Sequence, residues 1–247
     1  MRCCRRLAFN TANGDDSAVR EIAVFGATGG TGRQLVTRAT AAGHDVTALV
    51  RSPSDLETRD RVTLIEGDVL DPDSVGETVK GTDAVVCMLG RTPNNPDDIV
   101  SRGTEQIIDA MTRHDVRRLV VLTSMGLGTS VRQVPWYVRV VTATLLHDLM
   151  ADKARQEELV MRSNLDWTIV RPGGLTDGPY TEEYVHGVNV DATAGPISRA
   201  NVAAFLLRIV RENGYIRETP VLTTRDGVTV EFLREQATSI ATRLRQG

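Results

Sequence analysis

The chain has 247 residues, 41% hydrophobic and 25% charged, an ordinary globular composition with room for one large α/β domain or two small ones. Its net charge of −3 gives no footing for a nucleic-acid partner, and no apolar run approaches the roughly 20 residues that span a bilayer. Three cysteines without a C-x-x-C spacing suggest neither a zinc site nor a disulfide framework, so no metal and a reducing, cytoplasmic setting are expected.

Residues 1–20 carry Arg2, Arg5 and Arg6 and then turn polar. Their apolar stretch is too short for a signal-peptide core, so they read as a flexible or loosely docked extension. A basic tail that contacts a protein partner is the alternative. Residues 21–247 read as a single domain with small C-terminal elements.

Ile22 to Phe25 is a short apolar run that stops at Gly26. Gly29 and Gly32 follow at three-residue intervals. A helical pattern runs from Gly30 to Ala42, and Gly43 ends it as a C-terminal cap would. Strand, glycine turn and helix in that order open a dinucleotide-binding unit. Glycine lets the main chain approach a ligand. The helix start presents outward amides backed by the positive end of the dipole, which suits a pyrophosphate. The spacing G-x-x-G-x-x-G differs from the G-x-G-x-x-G of ordinary dehydrogenases, and a ligand-free strand–helix turn is the competing account.

Val46 to Val50 is a second strand, followed at once by Arg51. An acid about 20 residues past the motif would bond the 2′-hydroxyl of NAD and repel a 2′-phosphate. A guanidinium favours the phosphate, so Arg51 points to NADP(H), with Arg33 placed to assist. The competing account of Arg51 is a solvated strand-end arginine. Val62 to Glu66 is a third strand, and Asp68 beyond it could bond the adenine amino group. Asp71 to Ser74 supplies the cap of a helix that runs through Lys80.

Ala84 to Leu89 is nearly all apolar, as a strand buried on both faces should be. It ends at Gly90, and a loop follows at the strand end where open α/β sheets bind ligands. Ser101 to His114 reads as helix and Arg118 to Leu122 as a fifth strand. Ser124, after Thr123, then faces the cofactor side. The alternation predicts an α/β, Rossmann-type doubly wound parallel sheet with helices on both faces. Pro135, Trp136 and Tyr137 are expected to wall a pocket.

Leu145 to Arg162 reads as a long amphipathic helix. On it, Lys153 either bonds a ribose or decorates the surface. Asp148 and Asp152 lie four apart, and a solvated face is preferred to acid–base work. Leu165 to Val170 is a sixth strand ending in Arg171, Pro172, Gly173 and Gly174. Thr176 to Asn189 reads as loop, with Tyr180, Tyr184 and His186. Ser198 caps a helix from Asn201 to Arg211. A strand at Pro220 to Thr223 and a helix from Thr229 to Arg245 complete the chain. Cys87 is assigned to the core. His147 and His186 are candidate proton donors, with surface or structural roles preferred.

The segments IAVFGATGGTG, EGDVLDPDSV, DAVVCMLG, LVVLTSMG, LDWTIVRPGGL and ISRANVA together resemble the atypical short-chain dehydrogenase/reductase superfamily, over most of the chain. Within it, the chain is similar to the flavin reductase/biliverdin-IXβ reductase group, and more loosely to NmrA-like redox sensors. The resemblance implies that Gly26, Thr28, Gly29, Gly30, Thr31 and Gly32 line a pyrophosphate. It implies Arg51 on the 2′-phosphate, Asp68 and Val69 near adenine, and Leu89 and Gly90 beside the adenine-side ribose. It also places Thr123 and Ser124 near the nicotinamide, and Pro172, Gly173 and Gly174 on that pocket's far side.

One departure matters. The wider superfamily uses a tyrosine four residues before a lysine as its proton donor. No tyrosine here has a lysine four residues on, and the residue four before Lys153 is Leu149. The expectation is therefore an NADP(H)-dependent reductase acting on a small planar acceptor such as a flavin (FMN or FAD) or quinone, with Ser124 and Lys153 nearest the chemistry. The alternative is a non-catalytic NADP(H)-binding sensor. A sugar-nucleotide epimerase ranks last, since little chain follows Thr176.

Overall fold

The computed structural model describes residues 19–224 apart from 54–55, 57–59, 93–94, 137, 140–143, 145 and 189. Most of the N-terminal extension, Tyr137 and the helix expected at Thr229 to Arg245 lie outside the described residues.

Among the described residues ten strands run in chain order: β1 Glu21–Phe25, β2 Asp45–Val50, β3 Val62–Glu66, β4 Ala84–Cys87, β5 Arg118–Leu122, β6 Asp166–Pro172, β7 Gly174–Thr176, β8 Val185–Gly187, β9 Pro196–Ser198 and β10 Val221–Thr223. Helices among the described residues include α1 Gly30–Ala41, α2 Pro72–Val79, α3 Ile99–Arg113, α4 His147–Arg162 and α5 Arg199–Glu212. Eight strands form one sheet in the order β3-β2-β1-β4-β5-β6-β10-β8, and β7 pairs with β9 separately. In the large sheet every pairing is parallel except that of β10 with β8. This is the expected doubly wound Rossmann sheet.

β1 shows why both faces are covered. Ile22 and Val24 point into a core shared with Leu35 and Val36 of α1 and with Phe205 and Leu206 of α5. Ala23 and Phe25 point the other way, against Val75 of α2, Ile107 and Met111 of α3, and Val160 of α4. A strand buried on both faces needs no polar alternation, which is why β1 and β4 read as continuous apolar runs. Each large side chain so buried contributes about 1.5–3 kcal/mol of transfer free energy.

Three elements differ from expectation. β4 stops at Cys87, two residues early, because the chain leaves the sheet at Met88 after its amide donates to the Phe25 carbonyl at 2.9 Å. β6 runs on to Pro172, because β10 pairs with Arg171 and Pro172. The stretch expected as loop, Thr176 to Asn189, contains the three-residue β8, whose partner β10 lies far along the chain, and it begins on the last residue of β7, which pairs with β9. Trp136, expected to wall a pocket, is 75% exposed.

His186 sits on the edge strand β8. An Arg208 NH2 donates to its Nε2 at 2.9 Å, so Nδ1 carries the proton and donates to the Tyr215 hydroxyl at 2.8 Å. Burial, helped by the Arg208 charge, lowers its pKa to about 4. The folded state therefore binds fewer protons than the unfolded one between about pH 6.5 and pH 4. Stability is full above that window and falls with acid inside it, by at most about 1.4 kcal/mol per pH unit. Urea unfolding of His186→Asn should show a flatter pH profile there than the parent. Equal slopes would remove His186 as the cause.

Candidate functional site

The end of β1 lies beside the end of β4, and at this point the strand order reverses direction. Open α/β sheets bind ligands in the crevice such a switch creates. Gly26 turns the chain here with φ +86°, and a Cβ on it would lie 2.5 Å from the Met88 carbonyl oxygen. Gly32 seats α1 against this turn, since a Cβ there would lie 2.1 Å from the Gly26 oxygen. Gly29 differs: its Cβ would come no closer than 3.4 Å to that oxygen, and the residue is exposed. Gly26 and Gly32 are thus required by packing, whereas Gly29 keeps the approach to the helix open.

The helix starts separate the candidate site from the rest of the molecule. Asp71 caps α2 by accepting from the Ser74 amide, and Asp73 adds an acid to its first turn. Buried Asp152 accepts from the Val100 and Ser101 amides of α3, at 2.9 and 3.1 Å. Asp148 stands in the first turn of α4, and Ser198 caps α5. α1 alone among these has a glycine N-cap, no side-chain cap and no acid in its first turn. A helix start left bare at the switch point fits a phosphate group. This is the fit that a dinucleotide requires of the residues present.

The expected cofactor residues lie on the turn before α1 and just beyond the ends of β2, β3 and β4. Thr28 and the exposed Gly30 flank Gly29, while Thr31 is 6% exposed. Arg33 donates from Nε to the Thr28 carbonyl at 2.9 Å. Arg51 is exposed at the end of β2, and its NH1 donates to Asn95 Oδ1 at 3.0 Å, joining that strand end to the loop after β4. Asp68 uses one carboxylate oxygen to accept from the Leu70 amide at 2.8 Å. Val69 and Leu89 press on α3 at Gly103, where a Cβ would lie 2.9 Å from either side chain. Gly90 has open space around its α-carbon.

The ends of β5 and β6 meet beyond β4. The Thr123 amide donates to the Val170 carbonyl at 2.9 Å, and the Met125 amide to the Pro172 carbonyl at 2.8 Å. These bonds set Ser124 across from Pro172, with Gly173 and Gly174 next along the chain. The Ser124 hydroxyl is half-buried and donates to the Met125 carbonyl at 3.1 Å. The Thr123 hydroxyl turns inward to Glu157 at 2.8 Å, which leaves Thr123 its main chain for any ligand. Gly173 is glycine because a Cβ would strike the Gly195 carbonyl at 2.1 Å.

Lys153 is no surface decoration. It is half-buried, with Nζ 3.4 and 3.5 Å from the Leu122 and Thr123 carbonyls at the end of β5. Burial pushes its amine below the ordinary lysine range, with Cys87, Glu157 and Asp152 opposing. Asp152, expected on a solvated face, is buried as the cap of α3, while Asp148 stays exposed beside His147. Cys87 is buried next to Thr104 and Gln156, each 3.7 Å from Sγ, and burial raises its pKa.

Two features escaped the sequence reading. Arg171 and Glu157 form a buried two-pronged ion pair, at 2.9 and 2.7 Å, behind Ser124. Arg199, the first residue of α5, lies across Gly30. The ISRANVA segment marked the second position without marking its arginine.

Fold and site together define a dinucleotide-binding Rossmann protein. Residues 26–213 match the NAD(P)H-binding family model, and the chain belongs to that family. The oxidoreductase stcQ of Emericella nidulans is 30% identical over 211 residues, 76% of each chain. Two solved structures share the fold. The anaerobillin reductase ChuY of Escherichia coli O157:H7 superposes with a TM-score of 0.71 at 23% identity, over 83% of this chain and 98% of that one. A short-chain dehydrogenase/reductase of Veillonella parvula, solved with NADP, gives 0.71 at 19% identity, over 84% and 96%. No described helix is long and apolar enough to cross a membrane.

Proposed function

We propose that the protein is an NADP(H)-dependent reductase acting on a small planar acceptor such as a flavin or quinone in the cytoplasm. The observation that carries this reading is the bare start of α1 at the sheet's switch point, while other helix starts carry a cap or an acid. Arg51 at the end of β2 supplies the preference for a 2′-phosphate. Asp68 and Val69 flank the adenine, and Leu89 and Gly90 its ribose. When bound, the nicotinamide supplies the hydride.

The chain's own contribution is position and electrostatics. Ser124 orients the nicotinamide or the acceptor from the end of β5, with Pro172, Gly173 and Gly174 opposite. Lys153 holds the carbonyls of Leu122 and Thr123 and so fixes that strand end. With no tyrosine four residues before Lys153, solvent supplies the proton to the reduced acceptor.

Adding FMN or a quinone should produce steady NADPH oxidation, followed by absorbance. Gly29→Trp should abolish it by filling the space before α1. Arg51→Glu should raise the Kd for NADPH by about 10- to 100-fold and leave NADH nearly unaffected. An Arg51→Glu protein with unchanged NADPH affinity would sink the 2′-phosphate assignment.

The missing tyrosine favours one other reading, a redox sensor that binds NADP(H) without turnover and docks on a protein partner. Binding that separates NADP⁺ from NADPH, with no oxidation by any planar acceptor, would select it.

A further inference from the structure

We infer that Arg199 is a second guanidinium of the dinucleotide cradle, directed at the diphosphate, with Asp177 as its resting counter-ion. The inference rests on the dinucleotide reading above and adds to it a residue and a ligand group.

Arg199 lies across the first residue of α1. A Cβ on Gly30 would sit 2.6 Å from its Cδ and 2.9 Å from its Nε. Gly30 is therefore the slot that admits this side chain, a role separate from the packing of Gly26 and Gly32. The placement is built into the fold. β7 and β9 pair in parallel with Thr176 opposite Ser198, and the residues that leave the two strands are Asp177 and Arg199. Ser198 then accepts from the Asn201 amide at 3.1 Å and fixes where α5 begins.

The charges point to an anion. The positive end of α1 carries no acid in its first turn, and the fold brings a guanidinium against it. Two positive groups repel unless something negative joins them. Its partner in the structure is Asp177, whose Oδ1 accepts from Arg199 NH1 at 2.8 Å. Asp177 is 88% exposed, whereas the arginine is only 20% exposed. An ion pair with so solvated a carboxylate is weak and readily exchanged for a stronger acceptor. A diphosphate held by main-chain amides is such an acceptor. Arg51 and Arg199 then divide the ligand: Arg51 answers the 2′-phosphate, and Arg199 the diphosphate common to NAD(H) and NADP(H).

The test is calorimetric titration of the full chain with four probes: NADPH, NADH, ADP and adenosine 2′-monophosphate. Arg199→Met should weaken NADPH, NADH and ADP by about tenfold each and leave adenosine 2′-monophosphate unchanged. The salt slope for ADP should fall by about one. Arg199→Lys should recover part of the loss. Asp177→Asn, which releases the arginine, should tighten ADP a few-fold. Arg51→Glu should give the mirror pattern, with NADPH and adenosine 2′-monophosphate weakened and ADP intact.

Wild-type ADP affinity and salt slope in Arg199→Met would overturn the inference. So would equal losses on all four probes, which mean a general disturbance of the fold. Should Arg199→Met fail to fold, the lysine and Asp177→Asn proteins decide, and unchanged ADP binding in both overturns the inference. A wild-type chain that binds no nucleotide defeats the dinucleotide reading itself, an outcome distinct from these.

Discussion

Glu157→Ala should lower the free energy of unfolding by about 3–5 kcal/mol, the loss expected when one partner of a buried ion pair is removed. Glu157 and Arg171 side chains are each only 3% exposed. Glu157 Oε1 accepts from Arg171 Nε at 2.9 Å and from the Thr123 hydroxyl at 2.8 Å, while Oε2 accepts from Arg171 NH2 at 2.7 Å. The arginine also donates to Thr129 at 3.1 Å and to Thr219 at 3.4 Å. Alanine would strand the guanidinium without its carboxylate and free the Thr123 hydroxyl. The pair ties α4 to the ends of β5 and β6, so the loss should also reach the Ser124 segment. Glu157→Gln should cost less, because an amide oxygen still accepts. Replacing both partners by leucine should cost less than Glu157→Ala alone, because no buried charge is then left over. Urea midpoints for the three proteins check the order. A Glu157→Ala loss under about 1 kcal/mol would show that the pair is not holding these elements together.

Gly32→Ala should destabilise the chain by about 3 kcal/mol and raise the Kd for NADPH at least about tenfold. The added carbon would lie 2.1 Å from the Gly26 oxygen and 2.7 Å from both the α-carbon and the oxygen of Ala27. All three are main-chain atoms, so no side chain can swing away. The turn between β1 and α1 must open, and the first amides of the helix move with it. Gly29→Ala is the control. Its nearest contact is 3.4 Å, its φ is −70°, and it should fold with near-parental stability. Thermal melts and NADPH titrations of both proteins separate packing from ligand approach. A Gly32→Ala melt within about 2 °C of the parent would contradict the close approach.

Much of this was legible because the signals are local. Ile22 to Phe25, the glycines at 26, 29 and 32, and the run from Ala84 to Cys87 announce themselves by short-range pattern. The second-strand arginine is found by counting from the motif. What stayed hidden depends on long-range pairing. β7 and β8 are three residues each and show no period. Asp152 reads as a surface acid on an amphipathic helix until α3 is seen to start beside it. Arg171 and Glu157 lie 14 residues apart on different elements, and each alone looks like an ordinary surface charge. Arg199 reaches Gly30 only because β7 and β9 pair.

The burial of Cys87 has an experimental use. Its thiol is shut between Thr104 and Gln156 on a central strand, and burial keeps it protonated. With Cys3 and Cys4 changed to serine, an alkylating reagent can reach sulfur only when the middle of the sheet opens. The labelling rate then becomes a clock for that opening. Its slowing by added nucleotide would measure how firmly the ligand holds the strands together, with no assay of turnover.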